Sequence, residues 1–313
     1  MPDGANIIIN LNKPRDITSQ GAVSRVKRLL GVRKAGHAGT LDPLATGILL
    51  VCLNEATKVT RFLMDMDKEY VARVKLGERT DTCDSRGTVI EKRHVPPLEK
   101  AAIESVASMF LGTISQKPPM YSAVKIGGKT LHKLARKGIE IERPERRVEI
   151  HDIRVLEVEL PYFDLSVSCS KGTYIRTLCD DMGTRLGTGA HLTALERTRV
   201  GFFSVDDAVS LEGLGGEGSV FSRRSFCSID QVLSGLPEII FSDQEYRLIK
   251  NGVRIRSPKV NELADGSHVR LKAPRGKLFG IGRINSGVIR VERLLHLPPN
   301  SEQECDLDHK TLN

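Results

Sequence analysis

The chain has 313 residues, 40% hydrophobic and 27% charged, which is globular composition at a length that suits about two domains. Its six cysteines (Cys52, Cys83, Cys169, Cys179, Cys227, Cys305) contain no C-x-x-C spacing, which argues against a zinc ribbon, a thioredoxin-type site and a secreted disulfide framework. The longest unbroken apolar run, Ile48 to Leu53, is far short of the ~20 residues a membrane helix requires, and MPDGANIIIN lacks the basic start and long apolar core of a signal peptide. A soluble, cytoplasmic, monomeric protein is expected.

The net charge is +8 and is unevenly spread. Residues 25 to 34 carry five basic side chains and no acid. Residues 117 to 147 have nine basic and three acidic residues, and residues 246 to 293 have twelve and three. These segments hold a surplus of twenty, so the remainder of the chain stands at −12. Such segregation suits a polyanion-binding surface, because each neutralised phosphate releases condensed counterions.

In chain order, Asn6 to Asn10 reads as a short strand. Thr18 or Ser19 can cap a helix whose apolar face is Val23, Val26, Leu29 and Leu30, with Gly31 as its stop. Arg25, Lys27 and Arg28 lie off that face. The segment from Gly36 to Gly47 is too rich in Gly and Pro to predict helix or strand, and it leads into a buried strand at Ile48 to Leu53. Glu55 to Met64 reads as helix. Lys68 to Leu76 alternates, with Tyr70, Ala72, Val74 and Leu76 on one side, and predicts a half-buried strand of an antiparallel sheet.

Leu98 to Leu111 predicts an amphipathic helix. Residues 117 to 147 open with Pro118 and Pro119 and run through Gly127 and Gly128 into a basic helical stretch. Two strands, Val148 to Leu160 and Asp164 to Ser170, precede a helix over Thr173 to Leu186. A Gly/Ser stretch at 213 to 219 and mixed sequence lead to a linker near residue 240. Beyond it, short apolar runs at 268 to 272, 278 to 282 and 287 to 291 predict a small all-β module, with an acidic, frayed end from Pro298. The expected class is α+β: a catalytic domain over 1–240 with a mixed or antiparallel sheet, and a β domain over 241–313 that can be removed without unfolding the first.

The Gly-rich segment contains no P-loop and no well-placed dinucleotide fingerprint. Its Asp42-Pro43 pair, taken alone, is turn chemistry. The string GHAGTLDPLATGILLVCLNEATK (36–58) nevertheless resembles the signature of the TruB family of tRNA pseudouridine synthases. Four further segments match in the family's order: Asp67 to Tyr70, Arg79 to Asp84 with Gly87, Pro119 to Lys125, and Cys169 to Thr177 followed by Gly189 to His191. Together they run from about residue 6 to residue 200.

The resemblance implies isomerisation of uridine 55 in the T arm of tRNA, a reaction that consumes no second reactant and needs neither cofactor nor metal. It casts Asp42 as the essential aspartate, attacking the base or assisting at the ribose. Arg176 becomes its guanidinium partner, which keeps the carboxylate ionised and aimed. Tyr70 becomes the tyrosine that packs on the target base. His37 matches the histidine that fills the space left by the flipped uridine. Tyr174 and Leu195 match residues lining the uracil pocket, and Asp84 a polar neighbour. Residues 117–147 correspond to the thumb of stand-alone enzymes, which implies independence from a guide RNA. The C-terminal module resembles a PUA-type RNA-binding domain. The contrasting reading is a non-catalytic tRNA-binding protein or chaperone on the same scaffold.

Overall fold

A computed structural model describes residues 5–297 apart from 123, 136, 216–222 and 261. The acidic end from Pro298 and most of the Gly/Ser stretch lie outside the described residues.

Two of the strands are buried almost throughout: β1 (Ile7–Lys13) and β3 (Thr46–Leu53). Strands of that kind suit positions covered on both faces, and they pair antiparallel inside the main sheet, Ile9 opposite Val51. Between them run α1 (Ser19–Leu29) and β2 (Ala35–Ala38). Thr18 caps α1 by accepting the Gly21 amide at 2.9 Å. Ala22, Val23 and Val26 of α1 are buried and Leu29 is exposed, so the apolar face is narrower than the sequence implies. The β2 strand overrides the expectation of irregular structure from Gly36 onward: Gly36 pairs with Cys52 and Ala38 with Leu50. Neighbouring backbone decides a segment whose own residues carry little preference.

The strictly alternating β4 (Lys68–Leu76) is followed by α2 (Lys100–Ser108), β5 (Gly112–Gln116), β6 (Arg146–Glu159) and β7 (Tyr162–Cys169). Next come α3 (Ile175–Arg185), β8 (Ala190–Val200) and β9 (Phe226–Ser228). The main sheet runs in the order β9-β1-β3-β8-β4-β7-β6-β5, with β2 and Phe203–Ser204 attached at its side. Every pairing is antiparallel except β3 with β8, where Thr46 faces Glu196 and Gly47 faces Arg197. Helix α3 lies close on β8, because a Cβ at Gly183 would fall 2.3 Å from the Ala190 amide nitrogen. The thumb segment forms a small hairpin, Lys125–Ile126 with Lys129–Thr130, and only a short helix at Leu131–Ala135, so its basic helical stretch is shorter than expected.

The C-terminal sheet has β10 (Glu238–Ile240), β11 (Ile255–Arg256), β12 (His268–Lys272), β13 (Leu278–Asn285) and β14 (Val288–Leu294), in the order β10-β12-β13-β14-β11. Its docking corrects the idea of a detachable module. Leu278, Ile281 and Leu295 share one buried cluster with Ile8, Ile48, Leu50, Val59 and Leu63. Lys58 donates to the Leu294 carbonyl at 2.8 Å and Glu55 accepts the His296 amide at 2.7 Å. Among the described residues no helix is long and apolar enough to cross a membrane.

Candidate active site

Asp42 lies in the loop between β2 and β3, just ahead in the chain of Thr46 and Gly47, which make the one parallel junction of the sheet. The loop is held on both flanks of the aspartate. Ser19, the sequence's second cap candidate, instead binds Leu41 twice: its Oγ accepts the Leu41 amide at 2.8 Å and donates to the Leu41 carbonyl at 2.9 Å. The Asp16 amide donates to the Pro43 carbonyl at 2.8 Å. The aspartate is thus fixed through its main chain before any side-chain partner acts.

Arg176, in the first turn of α3, is 4% exposed. Its Nε meets Asp42 Oδ2 at 2.8 Å and its Nη2 meets Oδ1 at 3.3 Å. The remaining donors are also used: Nη1 on the Thr82 carbonyl at 2.9 Å and Nη2 on the Tyr121 carbonyl at 2.8 Å. The root of the thumb and the turn after Arg79 therefore both rest on the guanidinium. Asp84 is buried beside it, with Oδ2 at 3.5 Å from Nη1. Its other oxygen accepts from Thr82 Oγ1 at 2.8 Å and the Arg86 amide at 3.0 Å, which closes the turn. Arg79 pins that turn to α3 by a fork on Asp180, at 2.7 and 2.9 Å.

The electrostatics of Asp42 are a contest. Burial pushes its carboxyl above the ordinary aspartate value, Arg176 pulls it back down, and the like charge of Asp84 raises it again. The side chain keeps 32% of its surface open, so the packed side of the loop desolvates it while the other side remains reachable. A reachable carboxylate with a fixed direction can attack an electrophilic carbon or stabilise positive charge on a sugar.

Tyr70 on β4 is 8% exposed and shares a cluster with Leu41, Leu44 and Leu195. Burial pushes its phenol up. Leu195 stands on β8 opposite Ala72, two rungs from the pair in which Tyr70 faces Arg197. Tyr174 immediately precedes α3 and exchanges main-chain hydrogen bonds with the Gln116 side chain, at 3.0 and 3.3 Å. His37 on β2 is half-buried and faces Val51 across the pair. Its Nδ1 is buried with no hydrogen-bond partner among the described residues, and burial pulls the imidazole down. Asp42, Arg176 and Asp84 are in direct contact. Tyr70 and Leu195 join them through shared core and strand register, and no direct contact ties His37 to Asp42.

Two residues escape the sequence reading. Lys13 ends β1 fully buried, donating to the carbonyls of Pro14 at 2.8 Å and Ile17 at 3.0 Å. Burial lowers its ammonium to about 8, against the opposing pull of Asp42. Arg197 is 1% exposed. A basic residue in an alternating strand ordinarily reads as solvent-facing, so neither carries a local signal of burial.

The profile of the TruB family pseudouridylate synthase N-terminal domain matches residues 27–175. Those of the tRNA pseudouridylate synthase B C-terminal domain and of pseudouridine synthase II TruB, C-terminal, match 176–232 and 237–295. The chain belongs to the TruB family. It is 39% identical over 290 residues to tRNA pseudouridine synthase B of Clostridium tetani, covering 93% of this chain and 99% of that one. To the protein of the same name from Azoarcus sp. it is 44% identical over 288 residues, covering 92% and 94%. Among solved structures, a chain of a Cbf5-Nop10-Gar1 complex superposes with a TM-score of 0.70 at 26% identity, over 93% of this TruB-family chain and 85% of that one. An archaeal box H/ACA Nop10-Cbf5 complex gives 0.69 at 24% identity, over 95% and 88%, and shares the fold. The α+β class, with its C-terminal β domain, is the family's own.

Proposed function

We propose that this TruB-family chain is a tRNA pseudouridine synthase that isomerises uridine 55 in the T arm, without a guide RNA. The observation that carries the reading is the open Asp42 carboxylate held through both oxygens by a buried arginine. A pure RNA-binding protein has no use for a reachable carboxylate in a desolvated, arginine-oriented site. Relatives named tRNA pseudouridine synthase B, matched over nearly their whole length, support tRNA as the substrate. The exposed lysines of the thumb, Lys129, Lys133 and Lys137, suit phosphate contacts.

In this reading the target uridine leaves its stack and lies against Tyr70, with Leu195 and Tyr174 lining its pocket and His37 occupying the vacated space. Asp42 then attacks the base or assists at the ribose while the bond from N1 to C1′ breaks. The uracil turns, C5 bonds to C1′, the proton leaves C5, and N1 gains one. Atoms balance within the nucleotide, so no cofactor enters. We divide the chain into a catalytic domain to about residue 240, with a thumb at 117–147, and an RNA-binding β domain. Because Glu238–Ile240 pairs into the C-terminal sheet, the change of domain begins slightly earlier than 241. A monomer working on cytoplasmic tRNA completes the reading.

The test is incubation of purified protein with unmodified tRNA and no additive, followed by mapping of pseudouridine. Product at position 55, lost in Asp42→Asn while tRNA affinity stays within about threefold, is expected. Product elsewhere but not at 55 would overturn the substrate assignment. A fully active Asn variant would remove Asp42 from the mechanism.

A further inference from the structure

Three strands place Tyr70, Arg197 and Gly47 in one rung, on β4, β8 and β3 respectively. Arg197 is almost wholly buried, yet among the described residues it forms no ion pair with a carboxylate. A guanidinium taken out of water without a counter-charge is costly unless its fork of donors finds acceptors. The acceptors are specific. Nε donates to the Ile48 carbonyl at 2.8 Å and Nη2 to the Gly39 carbonyl at 3.0 Å. Tyr70 stands opposite Arg197 in the β4–β8 pair, and its phenol feels the guanidinium charge.

Gly39 and Ile48 bracket the loop that carries Asp42. One side chain therefore holds both ends of that loop, beside the tyrosine on the neighbouring strand. Glycine makes the approach feasible: a Cβ at Gly47 would lie 2.3 Å from the Arg197 carbonyl oxygen, and one at Gly39 would lie 3.3 Å from Nη1. His37, Lys13 and Lys68 all feel the same charge, which adds to the effect of burial in keeping their basicity down.

We propose that Arg197 is a positioning residue of the reaction, a single guanidinium that locks the two ends of the Asp42 loop together beside the phenol of Tyr70. The inference rests on the reading that Asp42 and Tyr70 carry out the isomerisation.

A double-mutant cycle in the full chain tests it, read by single-turnover rate at saturating enzyme and by tRNA affinity. Arg197→Lys keeps the charge but not the fork. Its rate is expected to fall roughly tenfold or more, with affinity within about threefold. In a Tyr70→Phe background the same change is expected to cost about threefold or less, because the phenol beside which it holds the loop is already gone. Equal losses in the two backgrounds, or an unchanged rate for Arg197→Lys, would overturn the proposal. Thermal melting separates a folding defect from a positioning one. If the lysine variant does not fold, Arg197→Gln, which retains amide donors at the same site, carries the identical comparison. A fully active Tyr70→Phe would instead remove the underlying reading of Tyr70, an outcome visible before the cycle is completed.

Discussion

Arg176 meets both oxygens of Asp42, Nε to Oδ2 at 2.8 Å and Nη2 to Oδ1 at 3.3 Å, while two main-chain carbonyls take up its other donors. A saturated guanidinium of this kind cannot swing away, so the carboxylate it holds has one direction. Arg176→Lys preserves the charge and loses the fork. A charge-assisted hydrogen bond contributes about 1.5–3 kcal/mol, so the turnover rate should fall roughly 10- to 150-fold. Single-turnover kinetics with saturating enzyme measure the loss. A rate within twofold of the wild type would mean that direction is set by the Ser19 and Asp16 main-chain clamps alone.

Asp84 shares the guanidinium, and its charge opposes ionisation of Asp42. In the proposed reaction the ionised carboxylate is the active form, so activity should fall as pH drops through the raised Asp42 value. Asp84→Asn keeps the oxygen that closes the turn and removes the like charge. Both consequences, less repulsion and an undivided Arg176, favour the ionised form. The acid limb of the pH–rate profile should therefore move to lower pH in the variant. A limb that stays in place, or moves up, would show that burial alone controls the titration.

Tyr70 offers a face and a hydroxyl. Tyr70→Phe keeps the buried ring, whereas Tyr70→Ala opens a cavity among Leu41, Leu44 and Leu195 and should cost about 3–5 kcal/mol of stability. The phenylalanine variant should lose turnover while tRNA affinity stays near the wild-type value, and only the alanine variant should melt markedly earlier. Full activity in Tyr70→Phe would leave the residue with packing alone.

The candidate site is more legible in the sequence than the scaffold around it. Asp42, Tyr70 and Arg176 sit in long ordered motifs, and the strict alternation of β4 announces itself. Strand β8 does not, because irregularities between Leu192 and Ala194 and between Arg197 and Arg199 break its period of two. That break also conceals Arg197, which reads as one more basic residue of the charged run Glu196 to Arg199. Strand β2 is invisible for a different reason: Ala35, Gly36 and Ala38 carry little strand preference, and β3 supplies it. Lys13 is buried where β1 pairs with β3, opposite Gly47, and its ammonium is satisfied by the Pro14 and Ile17 carbonyls, a placement that its own residue type does not announce.

The C-terminal module gives the last prediction and changes its design. Cutting the chain at residue 242 would strip Leu278, Ile281 and Leu295 from a cluster that they share with Ile8, Ile48 and Leu50. Burial of each such side chain contributes roughly 1.5–3 kcal/mol, which is a large part of an ordinary domain's net stability. The truncated protein should melt early or aggregate, so its tRNA affinity would say nothing about phosphate contacts. Charge removal on the intact chain answers the question. Arg254, Arg256 and Arg290 are exposed around the paired strands β11 and β14, away from the shared core. Replacing all three with glutamine should leave the melting temperature unchanged. If they touch phosphates, each lost contact flattens the slope of log affinity against log salt by about 0.7 to 0.9. Affinity at low salt should fall while the single-turnover rate at saturating enzyme holds. An unchanged slope in a protein of wild-type stability would make these arginines solvated surface and the module a structural cap on the sheet.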